Sequence, residues 1–315
     1  MLLQIIILVA GFFVLIKGAD IFVDGASHLA RNFKISKMLI GLTIVAFGTS
    51  APEFAVSIQS MLSGSGEIVI GNVVGSNILN ILLILWCASL VHELIVKNST
   101  VKKELPITLL LTSLLVVLMS DKLFSNQENL IDRGDGITIL LFFLVFIYYL
   151  ISMMRNKTDE VEEHEEIYPL WKSILYTFGG IIAIVLGSNL VVNSATKIAE
   201  VLGVSERIIG LTIIALGTSL PELVTSVVAT KKGEYDIAIG NVVGSNIFNI
   251  GVVLGLPVAL FGNIPVGTFS YIDLGFLLAS AIILFTFSIN DYKIRKYEGI
   301  ILLIMFVIYY TMILI

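Results

Sequence analysis

Apolar runs long enough to cross a lipid bilayer recur along the whole of this 315-residue chain. The runs are continuous rather than alternating, which favours membrane helices over the strands of a membrane barrel. The composition agrees, because 57% of the residues are hydrophobic and only 14% are charged, against about 45–50% and about 25% in soluble domains. The sequence therefore excludes a water-soluble enzyme and predicts an all-α polytopic membrane protein.

The apolar runs predict ten transmembrane helices. The first run has no basic segment before it, so we expect a retained span rather than a cleaved signal. The expected bounds of the ten spans are 2–26, 38–62, 68–91, 105–120, 136–154, 171–195, 207–230, 237–261, 270–289 and 299–315.

The chain contains an internal duplication with a period of 169 residues. Residues 40–81 and 209–250 share 25 identities in 42 ungapped pairs. Because each copy holds five predicted spans, an odd number, the second copy must enter the membrane in the opposite orientation. This predicts two inverted five-helix repeats, residues 1–154 and 169–315, joined by an acidic linker at 155–168. Inverted repeats are typical of secondary transporters, whose sites lie near the membrane midplane.

Basic residues are distributed unevenly between the two predicted sides of the membrane. Alternate loops hold 14 Lys and Arg residues on one side and 4 on the other. The positive-inside rule then predicts a multi-pass cell-membrane protein with both termini outside and the linker in the cytoplasm. The net charge of −5 makes nucleic acid an unfavourable partner. Beyond the lipid bilayer that surrounds the chain, the sequence indicates no partner: it shows no signal for a cofactor or for an obligate protein partner.

Spans two and seven each place a glutamate after a proline in the middle of an apolar run. The motifs are Gly-Thr-Ser-Ala-Pro-Glu at 48–53 and Gly-Thr-Ser-Leu-Pro-Glu at 217–222. An ionisable group at this depth is costly, and no basic residue lies beside either motif, so we expect a bound cation. Proline removes a helix hydrogen bond, so the carbonyls of residues 46–49 and 215–218 are expected to lose helix partners and face a site. An ordinary proline kink with a neutral glutamate is the alternative, and the duplication argues against it.

A second motif, Gly-Asn-Val-Val-Gly-Ser-Asn, occupies residues 71–77 and 240–246. Polar residues spaced four apart predict one polar stripe on a helix of each copy. We expect Asn72 and Asn77 to pack helices together through interhelical hydrogen bonds. We expect the same role for their repeat mates, the equivalent residues 169 positions later, which are Asn241 and Asn246. All candidate ligands are oxygen atoms, which suits hard cations such as Ca²⁺, Na⁺ or Mg²⁺, and Ca²⁺ best. The stripe residues expected to coordinate the ion are Ser76, Asn80, Ser245 and Asn249.

These paired motifs resemble the α-repeats of the sodium/calcium exchangers, within the calcium/cation antiporter superfamily, and the likeness covers all ten predicted spans. The resemblance implies a prokaryotic-type exchanger without a large regulatory domain, in which Ca²⁺ and Na⁺ compete for one central cluster during alternating access. It also implies exchange of three Na⁺ for one Ca²⁺ and a sliding pair formed by the first and sixth helices. The implied Ca²⁺ ligands are Glu53, Glu222 and the carbonyls of Thr49 and Thr218. The implied further Na⁺ ligands are Ser50, Ser219, Ser76, Ser245 and the carbonyls of Ala46 and Ala215, with Asn80 and Asn249 at the centre.

One departure from the family pattern bears on ion selectivity. Several relatives, including potassium-dependent exchangers, carry aspartate where this chain has Asn249, so the resemblance implies potassium independence. Relatives that exchange Ca²⁺ for protons place a glutamate within the stretch that corresponds to residues 75–77, and this chain does not. We therefore expect an electrogenic Na⁺/Ca²⁺ antiporter that extrudes Ca²⁺. A Ca²⁺/H⁺ antiporter on the same fold is the alternative, with H⁺ as a competing ion.

Two functions of other classes are disfavoured. An intramembrane hydrolase with Ser50 or Ser219 as nucleophile lacks a base, because the three histidines fall in or beside predicted loops. A cation channel is disfavoured because inverted repeats with broken helices are typical of carriers. Asp20 and Asp24, near the cytoplasmic end of span one, are expected to form a hydrated helix end rather than a cation vestibule.

Overall fold

The structure is a computed structural model that describes residues 1–124, 128–155, 168–204, 213, 215–267 and 271–314. The described chain is almost entirely helical, as the sequence predicts. Most of the acidic linker and the start of the seventh predicted span lie outside the described residues.

The helices of the first half match its five predicted spans to within a few residues, apart from the first, which continues to Phe33. They are α1 Leu2–Phe33, α2 Lys37–Thr49, α3 Ala51–Leu62, α4 Gly66–Val91, α5 Asn98–Lys102, α6 Glu104–Leu118, α7 Asp121–Phe124 and α8 Arg133–Arg155. Two strands of two residues accompany them: β1 Leu94–Ile95 and β2 Leu130–Ile131.

The second half repeats this order. Its helices are α9 Leu170–Val201, α10 Ala215–Thr218, α11 Leu220–Lys231, α12 Tyr235–Phe261, α13 Tyr271–Asp291 and α14 Lys296–Leu314, and its strands are β3 Ile264–Pro265 and β4 Lys293–Ile294. Helices α2, α4 and α12 each contain one wider π-helical turn, at Gly41–Val45, Asn80–Ile84 and Asn249–Leu254.

Seven of the described helices are long and apolar enough to cross a membrane: α1, α4, α8, α9, α12, α13 and α14. Helices α2 and α3 form one further candidate span that is bent by 47°. Helix α6 corresponds to the fourth predicted span but has only 15 residues. The number of ten spans therefore stays a prediction.

Helices α1 and α9 occupy equivalent positions in the two copies and pack against each other in antiparallel directions. A Cβ atom added at Gly25 would lie 2.5 Å from the backbone nitrogen of Thr177, and one added at Gly11 would lie 3.0 Å from Leu190 Cβ. The contacts thus run in opposite order along the two helices. Glycine makes this close approach of the backbones possible.

Helices α4 and α12 are also equivalent in the two copies, and they form the centre of the bundle. Within their most apolar 18-residue windows 72% and 78% of the residues are buried, against 17–33% in the other candidate spans. The start of α4 at Gly66 contacts Ile264, just beyond the end of α12, while Lys97, just beyond α4, pairs with Asp236 at the start of α12 over 2.9 Å. These contacts make α4 and α12 antiparallel, which is the relation expected of inverted repeats.

Two short sheets, formed by strands in the connections between helices, join the two halves of the chain. Strand β1 pairs antiparallel with β4, and β2 pairs antiparallel with β3, so each sheet contains one strand from each copy. The sequence did not predict these strands, because two residues are too few to show an alternating pattern.

Candidate metal centre

The first Pro-Glu motif breaks its helix where the sequence predicts. The axes of α2 and α3 meet at Ser50 with a bend of 47°. Pro52 lies in the first turn of α3, where a missing N–H removes no helix hydrogen bond, and Glu53 follows in the same turn. In the second copy α11 begins in the same way, with Pro221 and Glu222 in its first turn. Both glutamates are only 1% exposed.

One detail of the broken-helix prediction is wrong. The carbonyl of Ala46 accepts hydrogen bonds from the Ser50 N–H at 3.0 Å and from the Thr49 hydroxyl at 3.3 Å. It therefore keeps a helix partner, because the Ser50 N–H still closes the last helical turn before the bend. Ala215 is the first residue of α10, and its side chain lies outside the described residues. Coordination by these two carbonyls stays a prediction.

The two Pro-Glu motifs face each other across the centre of the bundle. The Ser50 hydroxyl donates a hydrogen bond to Glu222 Oε1 at 2.8 Å. In the reciprocal direction, the Glu53 carboxyl interacts electrostatically with Glu222 and has Thr218 and Ser219 as polar neighbours. The predicted acids of both copies thus share one buried pocket. This arrangement brings together residues that are 169 positions apart in the sequence.

An asparagine of each central helix holds the backbone of the glutamate in its own copy. Asn72 Nδ2 donates to the Glu53 carbonyl at 3.0 Å, and Asn241 Nδ2 donates to the Glu222 carbonyl at 3.2 Å. These are interhelical hydrogen bonds of the kind predicted for Asn72 and its mate. The same amides also donate to serines one turn further along: Ser57 at 3.2 Å and Ser226 at 2.9 Å.

The predicted polar stripes of α4 and α12 lie next to the helices that begin with the two Pro-Glu motifs. Ser76 accepts a hydrogen bond from the Ser219 hydroxyl at 3.4 Å, which links α4 to the second Pro-Glu motif. Asn80 Nδ2 and Asn249 Nδ2 donate to asparagine side chains on the opposite central helix, at 2.9 and 3.1 Å. Ser245, Asn80 and Asn249 are buried. Ser76 therefore lies beside the second Pro-Glu motif, and the wider turns that begin at Asn80 and Asn249 pack against α11 and α3, the helices that carry Glu222 and Glu53.

Six buried oxygen atoms of the predicted ligand residues have no hydrogen-bond partner within the described part of the chain. Each such atom costs about 1–3 kcal/mol when it is left unpaired, so a cluster of six requires compensation. Carboxylate, amide and hydroxyl oxygens are the ligands of hard cations, and a bound cation would pair them. The atoms are Glu53 Oε1 and Oε2, Glu222 Oε2, Asn80 Oδ1, Asn249 Oδ1 and Ser245 Oγ.

Sequence reasoning missed two kinds of supporting residue. The Ser188 hydroxyl of α9 donates to the Gly217 carbonyl at 3.0 Å and so satisfies the backbone beside the second break. The repeat gives no signal for it, since its mate is Ala19. In contrast, Ser57 and Ser226 are identical mates, and the repeat alone identifies them as candidates.

Comparison with known proteins identifies the family of the chain. The family model described as "Sodium/calcium exchanger protein" matches residues 3–152 and 172–315. The chain belongs to the sodium/calcium exchanger family. The sequence-based prediction of the family is therefore confirmed, and the exchanger is a transmembrane antiporter of the calcium/cation type.

Relatives and solved structures cover most of the exchanger. It is 32% identical over 343 residues to the sodium/calcium exchanger MaX1 of Methanosarcina acetivorans, with 96% of each chain covered. It is 38% identical over 267 residues to the inner membrane protein YrbG of Escherichia coli, covering 82% of this chain and 80% of the relative. A structure of the sodium-calcium exchanger NCX_Mj soaked with 10 mM Na⁺ and zero Ca²⁺ matches with a TM-score of 0.83 and 32% identity, covering 98% of this chain and 97% of that chain.

Proposed function

We propose that this exchanger is an electrogenic Na⁺/Ca²⁺ antiporter that works by alternating access and extrudes Ca²⁺. The observation that carries the proposal is the cluster of six buried, unpaired oxygen atoms around Glu53 and Glu222. Two carboxylates balance the charge of one Ca²⁺, and oxygen ligands from both copies can surround it. The same pocket can instead hold several Na⁺ ions, so that the two cations take turns in it.

The proposal assigns the ligands by motif position. Glu53 and Glu222 coordinate Ca²⁺ together with the carbonyls of Thr49 and Thr218. Asn80 and Asn249 lie at the centre. The further Na⁺ ligands are Ser50, Ser219, Ser76, Ser245 and the carbonyls of Ala46 and Ala215.

The proposed topology is ten spans in two inverted five-helix repeats, residues 1–154 and 169–315. The antiparallel packing of α1 with α9 and of α4 with α12 supports it. Both termini lie outside the cell, and the linker at 155–168 lies in the cytoplasm.

Uptake of ⁴⁵Ca²⁺ into Na⁺-loaded proteoliposomes tests the proposal directly. Ca²⁺ should enter only while Na⁺ leaves. If three Na⁺ leave for each Ca²⁺, one net positive charge moves outward per cycle, worth about 2.3 kcal/mol per 100 mV. Uptake should therefore accelerate when the lumen is made positive. Ca²⁺ uptake that depends on an imposed pH gradient and not on Na⁺ would instead show that the protein is a Ca²⁺/H⁺ antiporter.

Potassium independence is tested in the same vesicles. Because position 249 carries a neutral amide, it supplies no third carboxylate to balance an additional cation. Replacing all K⁺ by choline should leave the initial rate of Na⁺-driven ⁴⁵Ca²⁺ uptake unchanged. A rate that falls to background without K⁺ would contradict this part of the proposal.

A further inference from the structure

Asn77 and Asn246 are repeat mates that meet where α4 crosses α12, and both are 1% exposed. Asn77 Nδ2 donates to the backbone carbonyl of Asn246 at 3.2 Å, and Asn246 Nδ2 donates to the backbone carbonyl of Asn77 at 3.4 Å. A carbonyl oxygen can only accept, so each bond fixes which end of the amide points toward the other helix. Both Oδ1 atoms are consequently directed away from that backbone.

These two Oδ1 atoms are the acceptors for the amides of the stripe residues. Asn249 Nδ2 donates to Asn77 Oδ1 at 3.1 Å, and Asn80 Nδ2 donates to Asn246 Oδ1 at 2.9 Å. The Nδ2 atoms of Asn80 and Asn249 thereby each have a hydrogen-bond partner, while their Oδ1 atoms are buried and have none within the described residues. Every hydrogen bond in this group of four asparagines runs from the stripe residues toward the helix backbone.

We infer that Asn77 and Asn246 are positioning residues that orient Asn249 and Asn80 so that amide oxygens, and not amide NH₂ groups, face the cation. An amide presents an acceptor on one side and donors on the other, and only the acceptor binds a cation. Partners that orient metal ligands in this way contribute strongly to affinity. This inference rests on the proposed function, because it requires the pocket to bind Ca²⁺.

The alternative is that Asn77 and Asn246 only fasten the two central helices together. The two roles make different predictions because the positioning contacts cross between the helices. Asn77 acts on Asn249 of α12, whereas its neighbour Asn80 on α4 is held by Asn246. Removing the Asn77 side chain leaves the backbone carbonyl that anchors Asn246 in place. The contact of Asn246 with Asn80 therefore survives the change.

Equilibrium binding of ⁴⁵Ca²⁺ to purified, monodisperse exchanger tests the inference by a double-mutant cycle. Asn77→Ala should weaken Ca²⁺ binding by about 10- to 100-fold. In an Asn249→Ala background the same change should cause no further loss, because the residue through which it acts is already gone. In an Asn80→Ala background it should still cause its full loss. The mate cycle, Asn246→Ala with Asn80→Ala or with Asn249→Ala, should give the mirror-image pattern.

Several outcomes would overturn the inference. If the folded Asn77→Ala and Asn246→Ala variants bind Ca²⁺ like the wild type and lose only thermal stability, the asparagines merely fasten helices. If coupling is found between Asn77 and Asn80 rather than between Asn77 and Asn249, the crossed arrangement is wrong. Should one alanine variant not fold, the corresponding serine variant and the mate cycle in the other copy supply the same measurement. A wild-type protein that binds no Ca²⁺ would overturn the proposed function instead, so the two failures are distinguishable.

Discussion

At the scale of single residues, the pocket combines two buried carboxylates with few hydrogen bonds to stabilise them. Only one of their four oxygen atoms, Glu222 Oε1, accepts a hydrogen bond within the described residues, and its donor is Ser50. A carboxylate that is buried without partners is strongly unfavourable unless a counter-ion is present. Under the proposed function, the cation supplies this counter-charge and so stabilises the arrangement.

Neutralising either acid should abolish exchange. Glu53→Gln or Glu222→Gln removes one of the two charges that balance Ca²⁺ and replaces an oxygen ligand by an NH₂ group. We expect Na⁺-driven ⁴⁵Ca²⁺ uptake to fall to the level of empty liposomes, while size-exclusion profiles show a folded protein.

The control for this prediction is a buried glutamate elsewhere in the bundle. Glu104, at the start of α6, is fully buried and accepts a hydrogen bond from the Tyr149 hydroxyl of α8, and neither residue belongs to a Pro-Glu motif. Glu104→Gln should retain Ca²⁺ uptake. If the Glu53 and Glu222 variants also retained full uptake, neither residue would be part of the ion site.

At the scale of helices, the α1–α9 contact depends on the absence of side chains at particular positions. A Cβ atom added at Gly180 would lie 2.6 Å from Phe22 Cβ and 2.7 Å from its backbone, which requires the helices to separate. The adjacent Gly179 has no atom within 4 Å of such a Cβ. Neighbouring glycines of one helix thus serve as test and control.

Gly180→Ala should destabilise the exchanger, and Gly179→Ala should not. Overpacking of this kind costs about 1–3 kcal/mol, whereas alanine on an open helix face gains up to about 1 kcal/mol over glycine. Thermal unfolding in detergent should show a transition several degrees lower for Gly180→Ala and an unchanged or higher one for Gly179→Ala. Equal effects of both changes would show that the two helices are not packed through Gly180.

The helices and the two glutamates could be predicted from the sequence because their signals occur twice. Proline followed by glutamate in an apolar run has few physical explanations, and its recurrence 169 residues later removes most of them. The orientation of the amides could not be predicted, since it depends on contacts between residues such as Asn77 and Asn249 on different helices. The short strands were missed for the same reason, because each exists only through its partner in the other copy.

At the scale of the whole molecule, the two copies are alike at the centre and different at one face. Lys232 Nζ, from the second copy, lies 2.7 Å from Asp20 Oδ1 and 2.7 Å from Asp24 Oδ1 on α1 of the first copy, and it also donates to the Asp20 carbonyl. The sequence did not predict this contact, because the repeat mates of these residues are uncharged: Ser63, Asn189 and Asn193. The ion pairs therefore fasten α1 to the α11–α12 connection, and the equivalent positions at the other face carry no charges that could form the same pairs.

Under the proposed alternating-access function, this asymmetry affects the equilibrium between the two conformations of the carrier. A contact formed at one face favours the conformation that is closed at that face. The Asp20 and Asp24 side chains are 43% and 40% exposed, so solvent screening limits their combined effect to about 1 kcal/mol. That corresponds to roughly a five-fold shift of the conformational equilibrium.

Lys232→Gln should consequently change the apparent Ca²⁺ affinity in opposite directions at the two faces. From the face that carries Lys232 the affinity should rise by about two- to five-fold, and from the other face it should fall, since apparent affinity follows the fraction of binding-competent protein. Uptake titrations in right-side-out and inside-out membrane vesicles measure both values. Lys231→Gln is the matched control, because Lys231 is exposed, forms no ion pair among the described residues and has a weaker electrostatic effect on Asp20 than Lys232 has. The double variant Asp20→Asn/Asp24→Asn should reproduce the effect of Lys232→Gln, because it removes the same ion pairs. Equal changes of affinity at both faces, or no change at either face, would show that the Lys232 contact does not bias the conformations.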